Sequence, residues 1–169
     1  MQKKHLKMAA ASLAGLYFVW CALDPHQPRL IDGANLLIHE AGHLFFRPFG
    51  EFMMIARGSL FQVIVPSIFV GYFIYYRKPY SAALVLFWVG ESIVNVSVYA
   101  ADAAAMELPL TGGSDSVHDW NYLLSRLGML SATVTIGRMI RLTGAATIIA
   151  GWVWALKASG DQSEAVSAG

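Results

Sequence analysis

Long apolar stretches separated by short polar breaks dominate the chain. The stretch from Gly58 to Tyr76 carries no charged residue and lies between Arg57 and the pair Arg77-Lys78. As a helix it is long enough to cross roughly 30 Å of hydrocarbon. Four other stretches are candidate spans: Met8 to Leu23, Leu30 to Phe46, Tyr80 to Met106, and a C-terminal region that ends with Leu142 to Leu156. The pattern predicts an all-α polytopic membrane helix bundle of five or six spans.

Prolines and glycines mark the breaks between these stretches. The run Asp24-Pro25-His26-Gln27-Pro28 ends the first segment, and Arg47-Pro48-Phe49-Gly50 closes the second. Glu51 to Gly58 is short and interrupted, so a re-entrant strand or hairpin is predicted after the second span. Leu108 to Asp119 is the clearest loop, and Asp119 is a candidate cap for the helix that follows.

The region after this loop is divided by three arginines, Arg126, Arg138 and Arg141. We expect a helix from about Trp120 to Leu127, an amphipathic piece to Leu142, and a final span to Lys157. Residues 1–157 are predicted to form a single transmembrane domain. The small polar residues 158–169 are predicted to form a flexible tail.

Composition supports a membrane location, since 56% of the residues are hydrophobic and only 14% are charged. The net charge of +1 and the lack of a longer basic run give no sign of a nucleic-acid partner, so we expect none and expect membrane lipid as the partner. The short cluster Lys3-Lys4-His5-Leu6-Lys7 predicts a signal anchor with a cytoplasmic amino terminus, and we expect a bacterial inner membrane.

The only cysteine, Cys21, provides neither an intrachain disulfide nor a thiolate-rich metal site. Any metal must therefore be bound by His and carboxylate groups.

The second segment contains the motif His-Glu-Ala-Gly-His at His39 to His43. Histidines four residues apart lie on one helix face and can bind one Zn2+, while Glu40 reaches water at the metal as general base. The motif can arise by chance, but ionisable groups in an apolar span are costly and usually functional. Asp32 and Asn35 lie on the same stripe as the two histidines, so they are candidates for a second shell or for substrate contacts.

A catalytic zinc needs a third protein ligand. Two spans separate His43 from the loop at Leu108 to Asp119, so this loop returns to the side of the membrane where the second segment ends. His39 lies about 12 Å below that end at 1.5 Å per residue. His118 and Asp119 are therefore the leading candidates for the third ligand. The alternative is that both only stabilise the next helix.

The fourth segment carries a second polar stripe, formed by Glu91, Asn95 and Asp102. These residues fall within about 40 degrees of one another on a helical wheel and must face the bundle interior. A third metal ligand, a proton relay, substrate contacts, or a hydrogen-bonded clasp between helices would each explain the stripe.

Three parts of the sequence resemble the site-2 proteases, a family of intramembrane zinc metalloproteases. The motif at His39 to His43 with Phe46-Arg47-Pro48-Phe49-Gly50 is similar to the start of that family's catalytic helix. The stretch Met53 to Gln62 is similar to its membrane-embedded hairpin. Leu108-Pro109-Leu110-Thr111-Gly112-Gly113 resembles its "PLDGG" element, whose Asp is the third zinc ligand. The resemblance implies a zinc metallopeptidase that cleaves a peptide bond in or near a transmembrane helix.

The chain departs from this family at Thr111, which stands where the metal-binding Asp would be. The ligand would then come from Asp115, His118, Asp119 or Asp102, or the site is altered. Two other functions stay open from the sequence: a metal-dependent membrane hydrolase of a lipid or small amphiphile, and a non-catalytic metal-binding membrane subunit.

Overall fold

The computed structural model describes residues 2–45, 51–108 and 118–167, without the side chains of 43–45, 51–57 and 161–167. All regular structure in these residues is helical, which confirms the predicted helical class. The helices are α1 (Gln2–Leu23), α2 (Leu30–Phe45), α3 (Glu51–Tyr75), α4 (Pro79–Ala101), α5 (Asp119–Arg126) and α6 (Thr133–Ser167), with a short 3-10 helix at Leu130–Ala132.

Four helical segments are long and apolar enough to cross a membrane, which indicates an integral membrane protein. They are Gln2–Leu23, Gly58–Tyr75, Pro79–Ala101 and Leu130–Gly160. The described residues thus give four candidate spans, where the sequence predicted five or six. Helix α2, which is described over the 16 residues Leu30–Phe45, is not among these four.

The predicted hairpin after the second segment is wrong, because Glu51 to Gly58 forms the first two turns of α3. Most of these residues are good helix formers, and Gly58 alone lowers helix stability by only about 1 kcal/mol. The helix also continues through Pro66. The stretch Met53 to Gln62, expected to pair with a substrate strand, therefore has its backbone hydrogen bonds inside a helix.

The C-terminal region is simpler than expected. Most of the amphipathic piece and the final span form one helix, α6, which continues through most of the predicted tail, as far as Ser167. The fourth segment ends earlier than predicted, at Ala101, and Asp102 is its C-cap residue. His118, not Asp119, is the N-cap of α5.

Helix α4 lies at the centre of the bundle, and α6 packs antiparallel along it. Close approach depends on glycines of α6 seven residues apart. A Cβ added to Gly144 would lie 2.7 Å from the carbonyl oxygen of Gly90 in α4, and one on Gly137 would lie 3.0 Å from that of Ser97. A Cβ on Gly151 would lie 3.2 Å from that of Ala83. The two backbones are therefore nearly in contact, as in the small-residue interfaces of membrane helices.

The directions of the helices follow from contacts near their ends. Tyr80, at the start of α4, donates a hydrogen bond to the carbonyl oxygen of Lys7 in α1 at 2.8 Å, so α1 and α4 run in parallel. Gln62 of α3 contacts Asn95 of α4, whereas Phe69 stacks on Trp88, so these two helices are antiparallel. The C-termini of α1 and α4 and the N-termini of α3 and α6 thus share one end of the bundle, here called the site end. Both α2 and α5 lie there.

Candidate functional site

His39 of α2 is buried against the backbone of α3 at Gly58. A Cβ added to Gly58 would lie 2.3 Å from Nε2, 2.5 Å from Cε1 and 2.6 Å from Cδ2 of the imidazole. Three nearly equal distances place that point above the face of the ring, not in line with the Nε2 lone pair. The ring face therefore lies flat on Gly58, and the in-plane direction of Nε2 stays available for another group.

That other group is Asp119, the first residue of α5. Its Oδ2 lies 3.2 Å from His39 Nε2, and both side chains are mostly buried. Tyr99 of α4 presents its ring at a steep angle to the imidazole, with 5.9 Å between the ring centroids. The Tyr99 hydroxyl also accepts a hydrogen bond from the backbone N–H of Asp119 at 3.3 Å. One aromatic side chain thus contacts both members of the His39–Asp119 pair.

His118 occupies a different position from the one expected for a metal ligand. Its Nδ1 accepts a hydrogen bond from the backbone N–H of Asn121 at 3.2 Å and caps α5. A backbone N–H can only donate, so the ring proton is on Nε2, which donates to Asp102 Oδ2 at 3.2 Å. The ring stacks on Tyr99 with centroids 4.3 Å apart. Both nitrogens of His118 are therefore engaged by protein groups.

Asp102 organises the chain that follows α4. Its two carboxylate oxygens accept hydrogen bonds from the backbone N–H groups of Glu107 at 3.0 Å and Leu108 at 3.1 Å, besides the contact with His118. Asp102 therefore fixes the position of His118, which in turn caps the helix that begins with Asp119. Its carboxylate points into this turn and belongs to the support of the site.

Two further contacts fasten α5 to the bundle. Trp120 donates from its indole nitrogen to the hydroxyl of Ser59 in α3 at 3.1 Å. Asn121 donates from its side-chain amide to the carbonyl oxygen of Ala103 at 2.8 Å. Helix α5 is thus tied to α3 and to the turn that follows α4, which keeps Asp119 beside His39.

A second polar cluster lies one helical turn from His39. Asn35 is fully buried and donates from Nδ2 to the Glu91 carboxylate at 2.6 Å. Its Oδ1 accepts from the Trp88 indole at 2.9 Å and from the Ser92 hydroxyl at 3.1 Å. These contacts join α2 to α4 through groups that are buried in both helices. They form the kind of interhelical clasp that was one interpretation of the fourth-segment stripe.

The rest of this cluster links α2, α3 and α4. Asn95 donates to Asp32 Oδ1 at 3.1 Å, and Gln62 donates to Asn95 Oδ1 at 2.8 Å. The predicted stripe of α2 thus meets the predicted stripe of α4 at Asp32, Asn35, Glu91 and Asn95. Asp102 does not join them, because α4 ends before it.

Glu40 and His43 are the other two residues of the zinc motif with a chemical role. Glu40 is exposed on α2, next to the buried His39. His43 is one turn further along the same helix, and its side chain lies outside the described residues. Thr111 and Asp115 also lie outside them.

The spacing of His39 Nε2 and Asp119 Oδ2 is that of an ordinary contact between histidine and a carboxylate, and two ligands of one zinc ion would have a similar spacing. Two ligand atoms of a tetrahedral zinc with N and O ligands lie about 3.3 Å apart, and His39 Nε2 and Asp119 Oδ2 lie 3.2 Å apart. A group of three or more His, Cys, Asp or Glu residues that could hold a metal is not found among the described side chains, which do not include His43. A third ligand would thus have to come from outside that set.

Sequence reasoning missed Gly58 and Tyr99, which shape the surroundings of His39. The only signal for Gly58 was a glycine inside an apolar segment, which can mark close backbone approach. Tyr99 resembled the other aromatic residues of the spans, and nothing in its spacing distinguished it.

Comparisons with known proteins give no further assignment: no family model, no curated protein and no solved structure matches this chain.

Proposed function

We propose that this protein is a zinc-dependent hydrolase of the membrane, and that it cleaves a peptide bond in or near a membrane helix. The observation that supports this most is the 3.2 Å approach of Asp119 Oδ2 to His39 Nε2, the first histidine of the motif. A carboxylate from a distant part of the chain supplies the donor that the motif lacks.

In this proposal His39, His43 and Asp119 hold the metal. Zinc, when bound, would activate water and polarise the carbonyl of the substrate. Glu40 takes a proton from the attacking water and returns it to the leaving nitrogen as the carbon–nitrogen bond breaks. Glu40 is exposed on α2, so the described residues do not enclose its carboxylate.

The location of the site suits a hydrolase that acts at the membrane boundary. Gly58, on which His39 rests, follows Arg57 at the start of the uncharged run Gly58 to Tyr76. Tyr99 is two residues from the end of α4. The site thus lies near one end of two long apolar segments, which suits a reaction that consumes water.

A second candidate function is hydrolysis of a lipid or another small amphiphile by the same groups. The observation that favours it is the helical start of α3 at Glu51 to Gly58, where a hairpin was expected. Without a strand edge there, an unwound peptide loses the backbone hydrogen bonds that strand addition would provide. A small ester or amide needs no such edge.

The deciding experiment compares wild type with Glu40→Gln in detergent micelles. Both proteins are incubated with an unstructured fluorogenic peptide, a transmembrane peptide and a phospholipid, and their zinc content is measured in parallel. We expect zinc in both proteins and hydrolysis only in wild type. Hydrolysis of the peptides alone supports the protease, and hydrolysis of the phospholipid alone supports the second candidate.

Two results would contradict hydrolysis by this site. One is equal turnover by wild type and Glu40→Gln, which removes Glu40 from the chemistry. The other is zinc binding with no turnover of any substrate class, which favours a non-catalytic metal-binding subunit.

A further inference from the structure

A crevice between α1 and α6 lies on the other side of α4 from His39. It encloses a cavity of about 400 Å³, within the range of small-molecule sites. Its walls are apolar and include Val19 and Ala22 of α1 with Ala145 and Ile149 of α6. None of the residues that carry the proposed hydrolysis lines it.

Two arginines stand at one end of this crevice. Arg138 and Arg141 are three residues apart, on the same face of α6 as Ala145. Arg141 donates to the carbonyl oxygens of Ala22 at 2.8 Å and Leu23 at 2.7 Å, the last residues of α1. The guanidinium groups therefore lie where the apolar part of α1 ends, at the level expected for lipid headgroups.

The positive charge of Arg138 is available to bind an anionic ligand. It is exposed, and it makes no hydrogen bond or ion pair with the described residues. No acidic side chain is among the described residues that line the crevice. An apolar channel with two cations at its headgroup end complements a phosphate attached to an acyl chain.

We propose that this crevice binds an anionic phospholipid. One acyl chain lies between α1 and α6 along Val19 and Ile149, and the phosphate lies on Arg138 and Arg141. Arg141 also ties α6 to the end of α1, so lipid bound there would strengthen the same helix contact. The proposal does not depend on the zinc site.

The test is a titration followed by native mass spectrometry in mild detergent. Phosphatidylglycerol and phosphatidylcholine with identical acyl chains are added separately to wild type, Arg138→Gln and Arg126→Gln. Arg126 is a matched control, because it is an exposed arginine near the same end of the bundle, with its guanidinium over the Tyr122 ring.

We expect one preferred phosphatidylglycerol site in wild type and weaker binding of phosphatidylcholine. Arg138→Gln should weaken phosphatidylglycerol binding about five-fold, equivalent to ~1 kcal/mol for one cation near a lipid surface. Arg126→Gln should keep wild-type affinity. Ala145→Phe, which fills the crevice, should weaken binding of both lipids.

The proposal is overturned if wild type binds the two lipids equally. It is also overturned if Arg138→Gln keeps wild-type affinity, or if Arg126→Gln weakens binding as much as Arg138→Gln does. If Ala145→Phe does not fold, the comparison of the two arginine variants decides alone.

Discussion

Replacing Gly58 with alanine should displace His39 and weaken the site, although no proposed ligand is itself replaced. The added Cβ would lie 2.3 Å from Nε2, whereas ordinary contacts begin at 3.4 Å, so about 1 Å of separation is missing. The ring cannot simply rotate away, because Tyr99 borders it and Asp119 lies at Nε2. Helices α2 and α3 would have to move apart.

The expected cost follows from this overlap. Overpacking of a buried contact typically costs about 1–3 kcal/mol. A chain of this size loses roughly 2–4 °C in Tm for each kcal/mol. Gly58→Ala should therefore lower the Tm measurably, although alanine favours a helix over glycine by ~1 kcal/mol. We also expect weaker zinc binding, because the displaced Nε2 no longer faces Asp119.

The assay is thermal unfolding in detergent together with zinc content. Gly71→Ala is the matched control, since Gly71 lies in the same helix and a Cβ there meets nothing within 4 Å. That variant should unfold at the wild-type temperature or above. In a His39→Ala background the ring is gone, so Gly58→Ala should cost little, and the double-mutant cycle should give a coupling of about 1–3 kcal/mol. Equal unfolding temperatures and zinc contents for the Gly58→Ala and Gly71→Ala variants would show that Gly58 does not position His39.

Three further substitutions test the contact between α2 and α4, the contact between α4 and α6, and the N-cap of α5. Asn35→Leu leaves the buried Glu91 carboxylate without its 2.6 Å donor, and it should lower the free energy of unfolding by about 1–3 kcal/mol or more, measured by thermal or denaturant unfolding. Unchanged stability would argue against a clasp between α2 and α4. Gly144→Ala puts a Cβ 2.7 Å from the carbonyl oxygen of Gly90, and because backbone yields little, it should lower the Tm more than Gly71→Ala does. His118→Ala removes the N-cap of α5, which should lower the free energy of unfolding by about 0.5–2 kcal/mol and weaken zinc affinity, with one zinc per chain still bound at saturation. Complete loss of zinc at saturation would make His118 a ligand.

The helices of the bundle could be predicted from apolar length, but their ends could not. The span from Gly58 to Tyr76 and the helix carrying His39 follow from uncharged runs and from residue spacing. The start of α3 was missed because Glu51 and Arg57 interrupt the apolar pattern, although neither residue breaks a helix. Charged residues indicate which part of a segment lies in water. They do not indicate where the helix ends, because a helix can continue through them.

The proximity of Asp119 and His39 was accessible to reasoning from topology. Two spans between the motif and the loop bring the loop back to the same side, and the residues after it meet α2. Spacing could not distinguish His118 from Asp119, because they are neighbours. Their contacts differ only once His118 caps α5 and bonds to Asp102.

Close packing was the least predictable part of the fold. Gly144 and Gly90 bring two backbones together, but a glycine in an apolar helix gives no sign of its partner. The polar side chains of α2 likewise separate it from the four candidate spans, although its leucines and isoleucines resemble those of a membrane segment.

The most direct test of the central claim is the zinc content of the purified protein in detergent, compared with its Asp119→Ala and Asp102→Ala variants. We predict about one zinc per chain in wild type, its loss in Asp119→Ala, and its retention in Asp102→Ala, which alters only the support of α5. Absence of zinc from folded wild type, or retention of zinc in Asp119→Ala, would contradict the account.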